Sequence, residues 1–231
     1  MEHYNVIIMT PGYSMESQYV ISLLNTIRVL ENQKISWAFS NVGTSDVSIA
    51  RENTILGRSG FGINQNYASP LSGAATYDKL FLIDSDIFWE VEDFLRLYRS
   101  SYDLTSGIYL QSDGETTTVL TKTVESTPTK TFTTGLQALH RDDITHRLSP
   151  FQVSGAGLGF MCVKSGVFEA IERPWFEHEI IKKPVSEMES VVEMLSEDVS
   201  FIRKAIKAGF KVYADPSIKV GHTKKANIHW Y

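Results

Sequence analysis

The amino-acid sequence predicts an α/β fold in which helices flank a mixed, mostly parallel central sheet. Short β-branched runs alternate with segments of helical apolar spacing, which is the pattern of strands joined by crossover helices. Hydrophobic residues make up 42% of the chain and charged residues 21%, and both values are ordinary for a globular protein. A length of 231 residues favours one domain with a sizeable core.

The first half of the chain supplies most of the predicted parallel sheet. The apolar run at 6–9 predicts the first strand, and the apolar spacing from Glu16 to Leu30 predicts the first helix. The further predicted elements of this half are a strand at 36–40, a helix at 47–56, a glycine- and asparagine-rich loop or lid at 57–66, a helix before Asp78 and a strand at 79–83.

The second half is predicted to have shorter elements. These are a strand at 103–109, a strand entered through a glycine turn at 155–161, a helix at 165–171, a helix capped by Ser196 that ends before Gly209, a strand at 211–214 and a flexible tail at 221–225. In addition, 10 of the 19 residues from Thr116 to Thr134 are threonine. That segment predicts either an exposed β-hairpin, because threonine favours strands, or a mobile flap that shapes an acceptor site.

The composition argues against several classes of protein. A formal net charge of −5 lacks the basic excess of a nucleic-acid binder. The single cysteine, Cys162, cannot form a disulfide within the chain, which predicts a reducing, cytoplasmic location. No apolar run approaches the ~18 residues of a membrane helix, and a strand-like run follows Met1 at once, so we expect neither a membrane span nor a secretory leader.

Two aspartates follow the most strand-like run of the chain. Asp84 and Asp86 flank Ser85 at the predicted carboxyl end of a buried strand, where open α/β sheets bind their ligands. In extended chain, residues two apart point the same way, so both carboxylates can converge on one divalent cation that in turn binds phosphate. The alternative is a strand-end turn with two solvated aspartates.

Other charged residues also have two interpretations. Glu197 and Asp198, at a predicted helix start, either complement the helix dipole or include a general base for a hydroxyl group. His222 is either a solvated loop residue or a third metal ligand, and Lys224 and Lys225 either neutralise a diphosphate or are solvated charges.

Three residues outside these acidic motifs are further candidates. Arg51 and Asn53, on the predicted helix at 47–56, either contact a nucleotide or belong to a polar helix surface. Trp175 either stacks on the face of a sugar or lies in the core.

The order of these motifs resembles that of the nucleotide-diphospho-sugar glycosyltransferases of the GT-A fold, which is Rossmann-like. The likeness is nearest to the inverting family often called family 2, and it spans nearly the whole chain. The segments that carry it are Ala50-Arg51-Glu52-Asn53, Leu82-Ile83-Asp84-Ser85-Asp86, Gly155-Ala156-Gly157-Leu158-Gly159, Pro174-Trp175-Phe176, Ser196-Glu197-Asp198 and Val220-Gly221-His222.

The resemblance implies a role for each motif. Asp84, Asp86 and His222 would bind Mn²⁺ or Mg²⁺, and Asp198 would be the catalytic base, with Glu197 beside it. The donor and its nucleotide would be bound by Pro11, Gly12, Tyr13, Arg51, Asn53, Asp84, Ser85, Lys224 and Lys225. The acceptor and the transferred sugar would lie against Gly155, Ala156, Gly157 and Trp175. Residues 1–100 would form the nucleotide- and metal-binding half, and residues 101–231 the acceptor-binding half with a metal-binding tail.

The implied activity is metal-dependent transfer of a sugar from a UDP- or GDP-sugar to a carbohydrate or another hydroxyl acceptor, by an inverting single displacement. The Q-x-x-R-W signature of processive polymer synthases is absent, which favours single sugar additions. Retaining GT-A enzymes share the D-x-D and late histidine, so the stereochemical outcome stays open. The alternative function is a non-catalytic protein that binds a sugar or a nucleotide sugar with the same fold.

Overall fold

Helices cover both faces of a seven-stranded sheet in the computed structural model, which describes residues 1–57, 69–122, 135–184 and 190–224. The strands of this sheet lie in the order β2 (Trp37–Val42), β1 (Glu2–Pro11), β3 (Ala75–Ile83), β10 (Phe160–Lys164), β5 (Leu104–Ile108), β13 (Val212–Lys219) and β8 (Phe151–Gln152). The helices are α1 (Ser17–Asn32), α2 (Val47–Leu56), α3 (Val91–Arg99), α4 (Arg141–Thr145), α5 (Val167–Ala170) and α6 (Glu197–Lys207), with a 3₁₀ turn at Pro70–Gly73.

Five of the seven strands point the same way. Strand β1 pairs in parallel with β2 and β3, and β13 pairs in parallel with β5. Strand β10 is antiparallel to both β3 and β5, and β8 is antiparallel to β13. The predicted α/β class, with a mixed and mostly parallel central sheet flanked by helices, is therefore confirmed.

Alternation along the strands places apolar side chains on both faces of the sheet. In β1, Ile7 and Met9 belong to a core cluster that also contains residues of α2, α5 and α6, whereas Val6 and Ile8 belong to a cluster with residues of α1 and α3. All four side chains are fully buried. In the part of the chain that the structure describes, no helix is both long and apolar enough to cross a membrane.

Three smaller sheets complete the described structure. Strand β4 (Ile87–Phe88) pairs with β14 (Gly221–His222), and β11 (Ile180–Pro184) pairs with β12 (Ser190–Met194). Strand β6 (Thr116–Lys122) lies between β7 (Leu136–His140) and β9 (Gly155–Ala156), antiparallel to both. The pair of β6 and β7 supports a hairpin for the threonine-rich segment, but the prediction that it is exposed is wrong for β6, in which Thr117 and Val119 are buried. Residues 123–134 of the segment lie outside the described residues.

Long, periodic segments follow the sequence-based predictions closely. Helix α2 has the predicted bounds because the Asp46 side chain accepts a hydrogen bond from the Ile49 amide and Gly57 ends the helix in the left-handed conformation.

The predicted helix before Asp78 is wrong, because β3 already begins at Ala75 in register with β1. The predicted flexible tail is wrong at β14, which pairs with β4. The predicted lid at 57–66 lies, from residue 58 onward, outside the described residues.

Candidate functional site

The predicted site residues gather where the parallel strands end. Strand β1 leads into Gly12, β3 into Asp84, β5 into Tyr109 and β13 toward Gly221. Because β1, β3, β5 and β13 point the same way, their carboxyl ends share one edge of the sheet, which is the edge where open α/β sheets bind ligands.

The D-x-D segment forms a tight turn. The Asp84 carbonyl accepts a hydrogen bond from the Ile87 amide (3.1 Å), and the Ser85 carbonyl accepts one from the Glu16 amide (2.9 Å). The extended conformation therefore ends before Asp84, so the expectation that Asp84 and Asp86 lie in extended chain is wrong. Their carboxylates have different partners.

The Asp86 carboxylate lies against the end of the described chain. Its Oδ2 atom is 3.1 Å from Nε2 of His222 and 3.3 Å from Nζ of Lys224. The Thr223 amide donates to the Asp86 carbonyl (2.8 Å), and the pairing of β14 with β4 holds the two segments together. Lys225 lies outside the described residues.

The hydrogen bonds of His222 leave a specific place for a cation. Nδ1 is 2.9 Å from the Leu110 carbonyl, which can only accept, so Nδ1 carries a proton in this bond. Nε2 then either carries a second proton toward Asp86 or directs a lone pair at a cation shared with Asp86. A histidine whose other nitrogen donates to a carbonyl is the usual arrangement of a metal ligand, so Asp86 and His222 fit a divalent ion.

The predicted set of three metal ligands is not brought together. Among the described residues, no three histidine, cysteine, aspartate or glutamate side chains are grouped closely enough to hold a metal ion. Asp84 pairs with Arg51, whose Nη2 lies 3.0 Å from Oδ2 and 2.9 Å from Oδ1.

Arg51 also contacts the second acidic motif. Its Nε atom lies 3.4 Å from Oε1 of Glu197, the first residue of α6, and the whole arginine is only 5% exposed. Burial lowers the pKa of the guanidinium, but the charges of Asp84, Glu197 and Asp198 outweigh burial and raise it. Asn53, two residues along α2, is also buried. Neither residue belongs to an exposed helix surface.

Asp198 lies in the first turn of α6 with one carboxylate oxygen engaged. Oδ1 accepts hydrogen bonds from the Val199 amide (2.8 Å) and the Ser196 hydroxyl. Ser196 stands at the N-cap position, as predicted, but its side chain donates to Asp198 and does not cap a helix amide. Within the described residues, Oδ2 of Asp198 accepts no hydrogen bond, and the residue is partly exposed.

Tyr109 is a central residue of the site that the sequence-based analysis did not select. Its hydroxyl accepts a hydrogen bond from the Gly159 amide (2.9 Å), and its ring meets that of His222 edge-on. Burial, and then the charges of Asp84 and Asp198, raise the pKa of its phenol. Its place at the carboxyl end of a predicted strand is the signal that could have identified it.

The glycine turn makes room for Tyr109. A Cβ atom at Gly157 would overlap with the Tyr109 hydroxyl, and one at Gly159 would lie 2.6 Å from it. Gly155 is required for a similar reason, because its Cβ would lie 2.7 Å from Cδ1 of Leu120. Gly155 and Ala156 form β9 and are buried. An acceptor site at Gly155, Ala156 and Gly157 stays a prediction.

The first loop reaches the D-x-D turn. Gly12 has a φ of 132°, which favours glycine, and a Cβ there would lie 3.1 Å from Oγ of Ser85. The Asn41 amide group, also missed by the sequence-based analysis, donates to the carbonyls of Thr10 (2.7 Å) and Gly12 (2.9 Å). Pro11 is buried at the end of β1, whereas Tyr13 is 79% exposed.

Trp175 has no exposed surface. Its Nε1 atom donates to the carbonyls of Phe168 (3.0 Å) and Ile171 (3.2 Å), and its ring packs edge-on against Phe168. The prediction that Trp175 contacts a sugar is therefore wrong, and the alternative of a core residue is correct. The large apolar ring can be buried without cost because its one polar atom, Nε1, has hydrogen-bond partners inside the core.

No protein-family model matches this chain, and no curated protein matches it. Among solved structures, it is similar to the A197 protein from STIV, with a TM-score of 0.48, 17% identity and 100% of both chains covered. It is also similar to the catalytic domain of Drosophila beta1,4galactosyltransferase 7 in complex with xylobiose, with a TM-score of 0.48, 11% identity, and 97% of this chain and 72% of that one covered. A third similar structure is GalNAc-T7 with UDP, GalNAc and Mn²⁺, with a TM-score of 0.46, 12% identity, and 96% of this chain but only 38% of that one covered.

Proposed function

We propose that this chain is a metal-dependent glycosyltransferase of the GT-A type that transfers a sugar from a nucleotide-diphosphate donor to an acceptor hydroxyl. One observation carries the proposal: four carboxylates from two distant motifs gather at the carboxyl edge of the sheet around two permanent cations. The carboxylates belong to Asp84, Asp86, Glu197 and Asp198, and the cations to Arg51 and Lys224. The excess of negative charge attracts a divalent cation and, through it, a diphosphate.

Asp86 and His222 would hold the cation, Mn²⁺ or Mg²⁺, with the imidazole favouring Mn²⁺. When bound, the cation supplies positive charge that stabilises a diphosphate leaving group. Lys224, whose Nζ lies 3.3 Å from Asp86, is a mobile point charge next to the same place and would add to that stabilisation.

Asp198 would act as the general base on the acceptor hydroxyl. Hydrogen bonds from the Ser196 hydroxyl and the Val199 amide fix Oδ1, which directs the free Oδ2 as the proton acceptor. An inverting single displacement needs one such base, and inversion is proposed together with that role. Glu197 is held by Arg51 and is not proposed as the base.

The nucleotide would lie over the loop at Pro11, Gly12 and Tyr13. The exposed Tyr13 ring offers a stacking surface for a base, and the loop touches the D-x-D turn at Ser85. The acceptor would enter beside β9, which packs against α6 and so lies near Asp198. In this arrangement, residues 1–100 serve the donor and residues 101–231 the acceptor. The cytoplasmic location stays a prediction.

The proposal is tested by screening UDP- and GDP-sugars for release of nucleoside diphosphate with Mn²⁺, with Mg²⁺ and with EDTA. We expect metal-dependent release from one donor, lost in Asp86→Asn. Asp78→Asn is the matched control, because Asp78 lies on β3, before the D-x-D turn that follows this strand, and pairs with His3 at 3.3 Å in an exposed setting. Absence of release from every donor, with no binding of UDP or GDP in the presence of Mn²⁺, would refute the proposal.

The alternative is a non-catalytic protein that binds a nucleotide sugar with the same fold. Binding of a donor with Mn²⁺ but without turnover, even with a broad set of sugar acceptors, would favour it.

A further inference from the structure

Arg51 connects the two acidic motifs across the site. It lies on α2, whereas Asp84 follows β3 and Glu197 begins α6, so one side chain joins three separate elements. Its Nη2 atom lies 3.0 Å from Oδ2 of Asp84, and its Nε atom lies 3.4 Å from Oε1 of Glu197. Both Arg51 and Glu197 are more than nine-tenths buried.

We propose that Arg51 is a positioning residue, which ties Glu197 and with it the first turn of α6 to the D-x-D turn, and thereby places Asp198. This inference rests on the proposed function, in which Asp198 is the base. Asp198 is next to Glu197 in the same helical turn, so a displacement of Glu197 moves Asp198 with it. Arg51 therefore acts on the chemistry through Asp198, without itself contacting the reacting atoms.

The shape of the guanidinium explains why arginine stands at this position. Its Nε and Nη2 atoms lie on different parts of one rigid plane, so it reaches two carboxylates that belong to separate elements, one after β3 and one at the start of α6. A lysine offers a single nitrogen and cannot keep both distances. Arg51→Lys should therefore keep the positive charge but lose the link between Asp84 and Glu197, so it tests the link separately from the charge.

Helix α2 also carries a matched control. Glu52, the next residue, accepts hydrogen bonds from Nε of Arg173 (2.7 Å) and from the Trp175 amide (3.0 Å). This second buried ion pair lies beside Trp175 in the core. Arg173→Lys therefore makes the same chemical change in an equally buried pair away from the proposed site.

A direct contact with the nucleotide is the competing role. Nη1 of Arg51 is buried and has no hydrogen-bond partner among the described residues, and Nε contacts Glu197 as an ion pair without a hydrogen bond. A phosphate at that atom would make Arg51 a donor-binding residue, and its loss would then weaken nucleotide affinity. The positioning role instead predicts unchanged nucleotide affinity, slower turnover and a loosened first turn of α6.

The experiment compares Arg51→Lys, Arg173→Lys and Glu197→Gln by three measurements. These are affinity for UDP and GDP with Mn²⁺, kcat for release of nucleoside diphosphate, and hydrogen exchange of the peptide spanning 195–201, which includes the Ser200 amide bonded to the Ser196 carbonyl. We expect Arg51→Lys to lower kcat about tenfold or more, to change nucleotide affinity less than about twofold, and to speed exchange at 195–201. Arg173→Lys should leave all three unchanged at temperatures where it is folded.

A comparison of the double variant with the single variants gives a second test of the positioning role of Arg51. Arg51→Lys with Glu197→Gln should lower kcat no more than Arg51→Lys alone, because Arg51→Lys already removes the contact with Glu197. Weakened nucleotide affinity with normal exchange at 195–201, or identical behaviour of Arg51→Lys and Arg173→Lys, would overturn the inference. If Arg51→Lys does not fold, Glu197→Gln alone must show the loosened turn. If the wild-type chain turns over no donor, the proposed function fails, and the exchange comparison still decides the role of Arg51.

Discussion

Nε2 of His222 lies 3.1 Å from Oδ2 of Asp86, although the two residues are 136 positions apart in the chain. The bond from Nδ1 to the Leu110 carbonyl orients the ring, and the pairing of β14 with β4 delivers it to the D-x-D turn. We propose Asp86 and His222 as the pair that holds a divalent cation, since Asp84 is engaged by Arg51.

We predict that His222→Asn and Asp86→Asn each weaken binding of Mn²⁺ to the nucleotide-free protein. The loss should exceed the roughly 10-fold to 100-fold cost of changing an outer-shell residue, because each change removes a proposed ligand itself. Titration calorimetry with Mn²⁺ measures it. His3→Asn, which disrupts the exposed pair with Asp78, should bind Mn²⁺ as the wild type does. Equal affinities in all variants would contradict the assignment.

Gly221→Ala should separate β14 from β4. The Phe88 ring packs directly on Gly221, so that a Cβ atom would overlap with the ring, and the strand must move away. We expect a loss of about 1–3 kcal/mol in the free energy of unfolding, as for other overpacked sites, together with a loss of Mn²⁺ binding. Urea denaturation and the Mn²⁺ titration measure the two effects.

A second substitution distinguishes this steric cause from a general disturbance. Phe88→Ala in the Gly221→Ala chain removes the atoms that the new methyl group meets, and Mn²⁺ affinity should return toward the wild-type value. If Gly221→Ala alone binds Mn²⁺ normally, the pairing of β14 with β4 does not position His222.

Gly157→Ala and Tyr109→Phe should be strongly non-additive. Gly157→Ala places a methyl group on the Tyr109 hydroxyl, and Tyr109→Phe leaves the buried Gly159 amide without its acceptor, at a cost of about 1–3 kcal/mol. In the double variant the hydroxyl that causes the overlap is absent, so the total loss in free energy of unfolding should be smaller than the sum. Urea denaturation of the four proteins measures this.

The matched control for that cycle is Gly43→Ala. A Cβ atom at Gly43 would lie 2.6 Å from Cδ1 of Tyr13, so the substitution destabilises the protein through a different neighbour. Its effect should add to that of Tyr109→Phe, because the two sites share no contact partner. If the effects of Gly157→Ala and Tyr109→Phe are additive too, a glycine at position 157 is not needed to make room for the Tyr109 hydroxyl.

Elements whose signal is local could be predicted from the sequence. Helix α2 has the predicted bounds because Asp46 and Gly57 cap it from within the same segment, and the D-x-D motif lies at the end of β3 because that strand is a continuous apolar run. The location of the site at the carboxyl edge of the sheet could also be predicted from local patterns, because parallel strands end at the same edge.

The partners of individual side chains depend on distant pairings and could not be predicted. Arginine is charged and is usually exposed to solvent, yet Arg51 is buried. Its partners are distant in the chain: Asp84 lies 33 positions away, and Glu197 lies further away. Nothing near Gly157 and Gly159 in the sequence indicates that Tyr109 occupies the space these glycines leave. The structure of β14 likewise depends on β4, which lies more than a hundred residues earlier.

Stability should fall steeply above about pH 10. Burial is the main cause that raises the pKa of Tyr19, Tyr77 and Tyr109, and it raises the pKa of Cys162 to about 12. Above the pKa of about 10 of an unfolded tyrosine, the unfolded chain releases protons that the folded chain retains, so the free energy of unfolding decreases as pH rises. Each such group contributes a slope of roughly 1.4 kcal/mol per pH unit until its folded pKa is reached. Urea denaturation at pH 9, 10 and 11, with tyrosinate absorbance recorded alongside, measures the slope. Tyr77→Phe should reduce this slope by the contribution of about one titrating group. A free energy of unfolding that stays constant to pH 11 would show that these side chains are accessible to solvent.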